Sequence, residues 1–404
     1  MRRFILFIKL VLRAKFIFKN PQKYEVVVFD DESMVDFKNF IHHYNFFTLQ
    51  SRPQRINKIY FSFKILKFFI KNYNGNIMLA YFVSLLEIIG PKVVLTNIDN
   101  SLKFFELAKT LEKKMIFVAI QNAARYDLKI YKQWHKKKML KTDMTKNFYI
   151  PNFFCFGQLE IDDYRQREIK VKNFFKVGSL RLANGLNQIK KEKINTEKID
   201  YDVCLLSEAS RNYDKIFGET YTEKGAADLA KYTIKFCIKN EKKFIFAQKR
   251  DQVLAPEANK KELNFYKKYL SDEEYNYLIK NSWVKKNNMN ASYIAMLRSK
   301  MSVGYVSTML RENLALGGKS LNCNLTKTDL WEFPIKGICN IENCSFEEFE
   351  ERMLQILSMS KDEYFSKVEK DKCYAVEFDE KNSTIDIIKE KIDYFLNNKN
   401  LQIN

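Results

Sequence analysis

The chain predicts an α/β protein built from two consecutive doubly wound domains that face each other across a central crevice. Three observations carry the prediction. Short apolar runs without polar alternation recur along the sequence, as in parallel strands buried on both faces. Segments of helical spacing separate them. The pattern also lapses once, in "LANGLNQIKKEKINTEKID" near 182–200, and then resumes.

Taken in order, "MRRFILFIKLVLRAKFIFK" opens the chain with an apolar face and the cations Arg2, Arg3, Lys9, Arg13, Lys15 and Lys19. Charges recur too often there for a spanning helix, and no small-residue cleavage site follows. Residues 1–20 are therefore expected to form a basic amphipathic helix. It would either dock on the anionic inner leaflet of the cytoplasmic membrane or pack on its own domain. A first domain is expected over 21–182, with strands in "YEVVVF", "KVVLTN", "MIFVAI", "FFCFG" and "FFKVGS". "LLEIIG" and "SLKFFELAKTLEKK" supply helices between them. Residues 183–200 are expected to be a polar linker. The second domain, 201–380, repeats the alternation with "YDVCLLS", "KKFIFAQ", "KMSVGYVS" and "KSLNCN" as strands, and "STIDIIKEKIDYFLNN" gives a C-terminal helix within 381–404.

The 404 residues suffice for two domains of ordinary size, and 46% hydrophobic with 15% aromatic residues excludes a disordered chain. Lys plus Arg outnumber Asp plus Glu by 69 to 49, a formal charge of +20. That favours an anionic partner: nucleic acid, an acidic membrane surface or a phosphorylated small molecule. The basic residues are dispersed and no RNP, zinc-finger or helix-turn-helix signal accompanies them, so nucleic acid is not expected. Seven scattered cysteines, with no CxxC pair and no Cys/His cluster, argue against a zinc site or disulfide framework and for a reducing cytoplasm. The histidines are His42, His43 and His135, which excludes any mechanism that needs one in the C-terminal half. GxGxxG after a strand, the phosphate-binding GxxxxGK loop, GxSxG and HExxH are all missing, so neither a dinucleotide cofactor nor a metal is expected.

Polar residues at predicted strand ends are the candidates for chemistry. In "YVSTMLRENLALGGKS", Ser307 or Thr308 would cap a helix whose first-turn N–H groups suit a phosphate, with Arg311 adding charge and Glu312 accepting from sugar hydroxyls. The plain alternative is an ordinary helix cap worth ~1 kcal/mol. "FIFAQKRD" presents Lys249 and Arg250 where a phosphate would need neutralising, or where any surface loop carries charge. "TNIDN" and "IQNAARYD" place Asp99, Asn100, Gln121, Asn122 and Arg125 at adjacent strand ends. Amides and one carboxylate suit a hydroxyl-rich ligand, with Asp99 as general base, although turns favour Asp and Asn anyway. "YDVCLLSEAS" puts Ser207 and Glu208 at the crevice, Glu208 being a base, a nucleophile or an acid that complements a helix dipole.

The succession "VVLTNIDNSLKFFELAK", "MIFVAIQNAARYD", "NFFCFGQLEIDDY", "FFKVGSLR", "YDVCLLSEAS" and "YVSTMLRENLALGGKS" resembles the bacterial surface carbohydrate biosynthesis proteins over roughly 90–325. These look like GT-B glycosyltransferases akin to capsule and O-antigen enzymes that use CMP-activated Kdo or sialic-acid-like sugars. The resemblance implies two Rossmann-like domains, with a nucleotide-sugar donor held mainly by the second and a glycan or lipid-linked glycan acceptor at the first. Ser307 and Thr308 match a hydroxyl pair at the phosphate site, and Glu312 the acid in the following helix. Lys249 and Arg250 fall where related enzymes carry a His-Pro pair, a departure that leaves the nucleotide's identity open. Asp99, Gln121, Asn122 and Arg125 match polar strand ends on the acceptor side. A cytoplasmic enzyme peripheral to the membrane is the resulting expectation. A non-catalytic nucleotide-sugar or glycan-binding protein of the same fold is the alternative, and a polyol-phosphate transferase a third.

Overall fold

The computed structural model describes residues 12–125, 144–209, 221–250, 255–282 and 291–398. Arg2, Arg3, Lys9 and His135 lie outside them. Two parallel sheets organise the fold. The first runs β3 (Phe46–Leu49), β2 (Val26–Phe29), β5 (Val93–Thr96), β6 (Ile116–Ile120), β7 (Tyr149–Cys155) and β8 (Lys170–Lys176). The second runs β10 (Phe244–Ala247), β9 (Tyr201–Leu206), β11 (Ser299–Gly304), β12 (Lys319–Asn324) and β13 (Asn340–Glu342). A two-stranded pair, β1 (Lys15–Ile17) with β4 (Lys58–Tyr60), stands apart from both.

Most of the apolar runs read as doubly buried strands behave as such; the exception is "FFKVGS", whose strand β8 is the sheet edge and has only exposed and half-buried residues. Every residue of β2 is buried, and its side chains divide by parity. Val27 and Phe29 enter a cluster with the Ile77–Ile89 and Leu102–Leu111 helices, while Val26 and Val28 enter another on the opposite face. The second domain has its own core around Val203, Leu205, Phe246, Val303 and Leu321. Two Rossmann-like domains result, as the sequence predicts.

Two boundaries differ from expectation, and the packing of the C-terminal helix, which the sequence left open, is a further finding. The segment expected as one helix to residue 20 contains β1, because Lys15–Ile17 pairs in register with Lys58–Tyr60. A helix over Leu180–Lys191 takes up the first half of the linker expected at 183–200 and buries Leu182, Ala183 and Ile189, leaving only the stretch after Lys191 as a connection. The C-terminal helix, Thr384–Asn397, packs not on the second domain but on the first. Ile385, Ile388, Ile392 and Phe395 share the cluster of Val26, Val28 and Phe154, since their helical spacing makes one apolar stripe. The chain thereby crosses between domains twice, near 192–200 and near 376–384.

The returning segment packs closely on Gly157 and Gly178. Gly178 has φ +82°, and a Cβ there would stand 2.3 Å from the Glu377 carbonyl oxygen and 2.8 Å from Thr384 Oγ1. Gly178→Ala is expected to cost more than about 1 kcal/mol, since the conformation and the space both oppose a side chain. Urea denaturation checks this.

Candidate functional site

In each sheet the strand order reverses at one place. In the first, β2 is followed by β3 on one side and β5 on the other; in the second, β9 is followed by β10 on one side and β11 on the other. Beyond the carboxyl ends of such strands helices diverge and leave a crevice. Here segments beyond the carboxyl ends of the two sheets touch. Thr308, after β11, accepts a hydrogen bond from the Ala124 N–H, after β6, at 3.0 Å, and Glu312 receives the Ser179 hydroxyl from beyond β8 at 2.5 Å.

The first switch point is densely tied. Asp30 follows β2 with φ 73°, and its buried carboxylate accepts from the Glu32 N–H at 3.1 Å, Ser51 Oγ at 2.5 Å and Arg52 Nε at 3.0 Å. Ser33 Oγ donates to Asn97 Oδ1 at 2.7 Å and accepts from the Asn97 N–H at 3.1 Å. Asn97 Nδ2 donates to Asp36, to which Arg181 Nε also donates at 3.2 Å. These bonds fasten the strand ends at the positions a ligand would meet.

At the second switch point Ser207 and Glu208 follow β9, and Val306 and Ser307 follow β11. Val306 has φ 58°, a left-handed conformation that a β-branched residue adopts only when its surroundings impose it. The turn delivers Ser307 to the N-cap of the Thr308–Ala315 helix, where its side chain makes no capping bond. On the neighbouring strand end Lys249 Nζ forms an ion pair with Glu208, while the Lys249 and Arg250 N–H groups donate to Glu262 at 2.8 and 2.9 Å. Asn259 Nδ2 donates to Gln248 Oε1 at 2.7 Å and to the Arg250 carbonyl at 2.8 Å. The Gln248–Arg250 turn is thus held by its backbone, and the side chains of Lys249 and Arg250 remain exposed.

Lys249, Arg250, Glu208 and Ser307 therefore stand at three adjacent strand ends, as the sequence suggested. Other candidates are otherwise engaged. The general-base reading of Asp99 is corrected: its carboxylate is fully buried, with both oxygens bound by Arg125, Nε donating to Oδ2 at 2.9 Å. Arg125 also donates to Asn122 Oδ1 at 2.9 Å, so this cation, amide and acid form one internal group. Gln121 spends its amide on the Phe156 N–H (2.8 Å), the Ala123 carbonyl (3.1 Å) and Glu160 (3.1 Å), which corrects its reading as a sugar ligand. Asn100 is half-buried beside Asp99.

The phosphate reading of Arg311 is corrected as well. Its guanidinium lies 3.0 Å from Glu160 Oε1 with both side chains buried, an ion pair between domains rather than a cation open to an anion. Glu312 is likewise enclosed, accepting from Ser179 and, at 2.9 Å, from the Tyr293 hydroxyl. Both oxygens are taken, so sugar hydroxyls would have to displace protein donors.

Burial dominates the acids of this interface. It pushes the carboxyls of Glu160, Glu262 and Glu312 up; Arg311 opposes this at Glu160, the Ser207 hydroxyl and backbone N–H groups at Glu262, and the hydroxyls of Ser179 and Tyr293 at Glu312. A group whose folded pKa is raised adds stability below its unfolded pKa, about 4.3 for glutamate, and loses it as pH rises through the folded value. These three carboxyls therefore contribute a decline in unfolding free energy as pH rises above about 4.3, against the opposite contribution of Glu87, Asp202, Glu350, Glu363 and Asp379, whose pKa values are lowered. Glu312→Gln removes one contributor and should flatten that decline, as urea titrations at a series of pH values will read.

Sequence reasoning missed Glu160, Ser179, Tyr293, Glu262 and the Asp30–Asp36 cluster. Ser179 and Asp30 had a legible signal, since each directly follows an apolar run. Glu160, Glu262 and Tyr293 lie in or near helices whose burial comes from tertiary packing, which local pattern does not express.

Among the described residues no group of three or more His, Cys, Asp or Glu side chains is placed to hold a metal, and no helix is long and apolar enough to cross a membrane.

No protein-family model matches the chain, and no curated protein matches it. Solved structures do resemble it. The UDP-GlcNAc 2-epimerase from Neisseria meningitidis bound to UDP-GlcNAc aligns over 92% of this chain and 99% of its own, at 12% identity and TM-score 0.49. The wall teichoic acid polymerase TagF aligns over 93% and 90%, at 10% identity and TM-score 0.46. The trehalose-6-phosphate synthase OtsA covers 92% and 97%, at 10% identity and TM-score 0.39.

Proposed function

We propose that this protein is a GT-B glycosyltransferase that moves a sugar from a nucleotide-sugar donor to a bacterial surface glycan acceptor such as capsule or lipopolysaccharide. A CMP-activated Kdo or sialic-acid-like sugar is the favoured donor, on the sequence resemblance. The observation that carries the reading is the contact between segments beyond the carboxyl ends of the two sheets, one end rimmed by exposed cations and a strained turn, the other by acids and amides. Glycosyl transfer needs the leaving phosphate stabilised and the acceptor hydroxyl deprotonated. Lys249, Arg250 and the free N–H groups that follow Ser307 are suited to the phosphate without a metal. Glu208, already within reach of Lys249, is the carboxylate we assign to the acceptor proton once a phosphate draws that lysine away. Asn100, half-buried beside the Asp99–Arg125 pair, is the amide we assign to the acceptor side.

The experiment is release of free nucleotide from a panel of CMP-sugars in the presence of a lipopolysaccharide or capsule fragment. Glu208→Gln should reduce turnover by about 10²–10⁴ while nucleotide binding persists. Unchanged turnover would remove Glu208 from the chemistry.

One observation favours a second reading, a non-catalytic nucleotide-sugar or glycan-binding protein. Asp99, the acid nearest the acceptor-side amides in sequence, is locked to Arg125. Tight nucleotide binding without release from any donor would select it.

A further inference from the structure

The Phe63–Asn72 helix is apolar on more of its circumference than its domain covers. Ile65 is buried in the core of the first domain, but Phe63 is 85% exposed, Leu66 38% and Ile70 68%. Positions 63, 66 and 70 are spaced i, i+3 and i+7 and form one outward stripe, with Tyr73, half exposed, extending it. Lys64, Lys67 and Lys71 are all exposed and flank that stripe.

The neighbouring strand pair extends the same surface. Phe16 and Phe18 on and after β1 are exposed, their rings 6.4 Å apart, and Phe18 meets Phe61 at 6.1 Å. Phe61 donates its N–H to the Ile17 carbonyl at 2.8 Å, and Ser62, the N-cap of the helix, donates its hydroxyl to Asn20 at 2.7 Å. Strand pair and helix are thus one rigid unit, presenting exposed apolar side chains together with the exposed cations Lys15, Lys19 and Lys58. From Phe37 through Leu86 the chain has no Asp or Glu at all. Scattered exposed apolar residues need no explanation, but a contiguous aromatic and aliphatic patch ringed by lysines and free of acids does.

We propose that this surface, Phe16–Phe18 with the Phe63–Asn72 helix, docks on an anionic phospholipid bilayer. Charge complementarity commits it to that occupant. Lysines beside the stripe would meet lipid phosphates, while Phe18, Phe63 and Ile70 enter the boundary between headgroups and acyl chains, as an interfacial amphipathic helix does. The inference stands on the described residues 12–77 and does not depend on which reaction the crevice performs.

Flotation of the full-length protein with phosphatidylcholine vesicles, with and without phosphatidylglycerol, tests it. Binding is expected only to the anionic vesicles, weakening as salt is raised. The variant Phe63→Ser/Ile70→Ser, and separately Lys64→Glu/Lys67→Glu/Lys71→Glu, should each lower partitioning by about tenfold or more. All these positions are exposed, so an unchanged thermal melt would confirm intact folding. Deleting residues 2–11 should leave much of the binding in place. The proposal is overturned if that deletion alone abolishes binding while the helix variants bind normally. It is equally overturned if the protein ignores anionic vesicles, or if it self-associates through Phe63 and Ile70 in sedimentation without binding lipid.

Discussion

Arg311→Ala lowers the stability of the folded chain by about 3–5 kcal/mol, because it leaves the Glu160 carboxylate charged and uncompensated between the domains. Glu160 and Arg311 lie 3.0 Å apart with side chains 4% and 5% exposed, so solvent offers little replacement for either partner. Burial already pushes the Glu160 carboxyl up despite the adjacent guanidinium, which means desolvation outweighs attraction even in the intact pair. The loss in the single variant is then mostly the cost of a stranded charge. Glu160→Met/Arg311→Met, which strands none, should recover most of the deficit, to within about 1–2 kcal/mol. Urea denaturation of both variants separates the two contributions, and equal losses in both would show that the pair itself is the source of stability.

Lys249→Ala is expected to lower activity strongly while leaving the fold intact. Its ammonium is, with Arg250, one of the exposed cations at the second switch point, held by Glu208 and able to exchange that partner for a phosphate. Removing such a contact to developing charge typically costs about 10²–10³ in turnover. Stability should hardly change, since an ion pair at a partly exposed site contributes about 0–1 kcal/mol. A fall in transfer rate with an unaltered melting curve is the expected combination.

Much of this architecture was legible in the sequence, for identifiable reasons. Strands buried on both faces, such as Val26–Phe29 and Val93–Thr96, are continuous apolar runs that a local pattern expresses directly. The strand ends follow from the runs, which is why the sequence already puts Lys249, Glu208 and Ser307 at the ends of neighbouring strands. What escaped was whatever depends on contact between distant segments. "STIDIIKEKIDYFLNN" reads as an amphipathic helix, but which domain its isoleucines cover is settled only by the return of the chain past Gly178. β1 escaped because three residues that pair with Lys58–Tyr60 carry no periodicity of their own.

The site was less legible than the fold. Arg311 looks like an anion ligand by position, one turn into a helix after a strand. Its partner Glu160 lies 151 residues away and is invisible to local pattern. Asp99 likewise looks like a base until Arg125, 26 residues on, is seen to grip both its oxygens. In each case a charge placed for ligand chemistry by local reasoning turns out to hold the protein's own elements together. Lys249 and Arg250 stay exposed while their backbone N–H groups are held by Glu262.

The most direct test is the melting temperature of the intact protein and of Lys249→Ala in the presence of CMP, CDP, UDP and GDP in turn. A nucleotide bound only by the folded chain raises its stability by mass action, by about 2.7 kcal/mol at a hundredfold excess over Kd. One of the four is expected to raise the melting temperature of the intact protein and to have little effect on Lys249→Ala. A shift with none of them, or the same shift in the variant, would contradict a nucleotide site at the strand ends of the second domain.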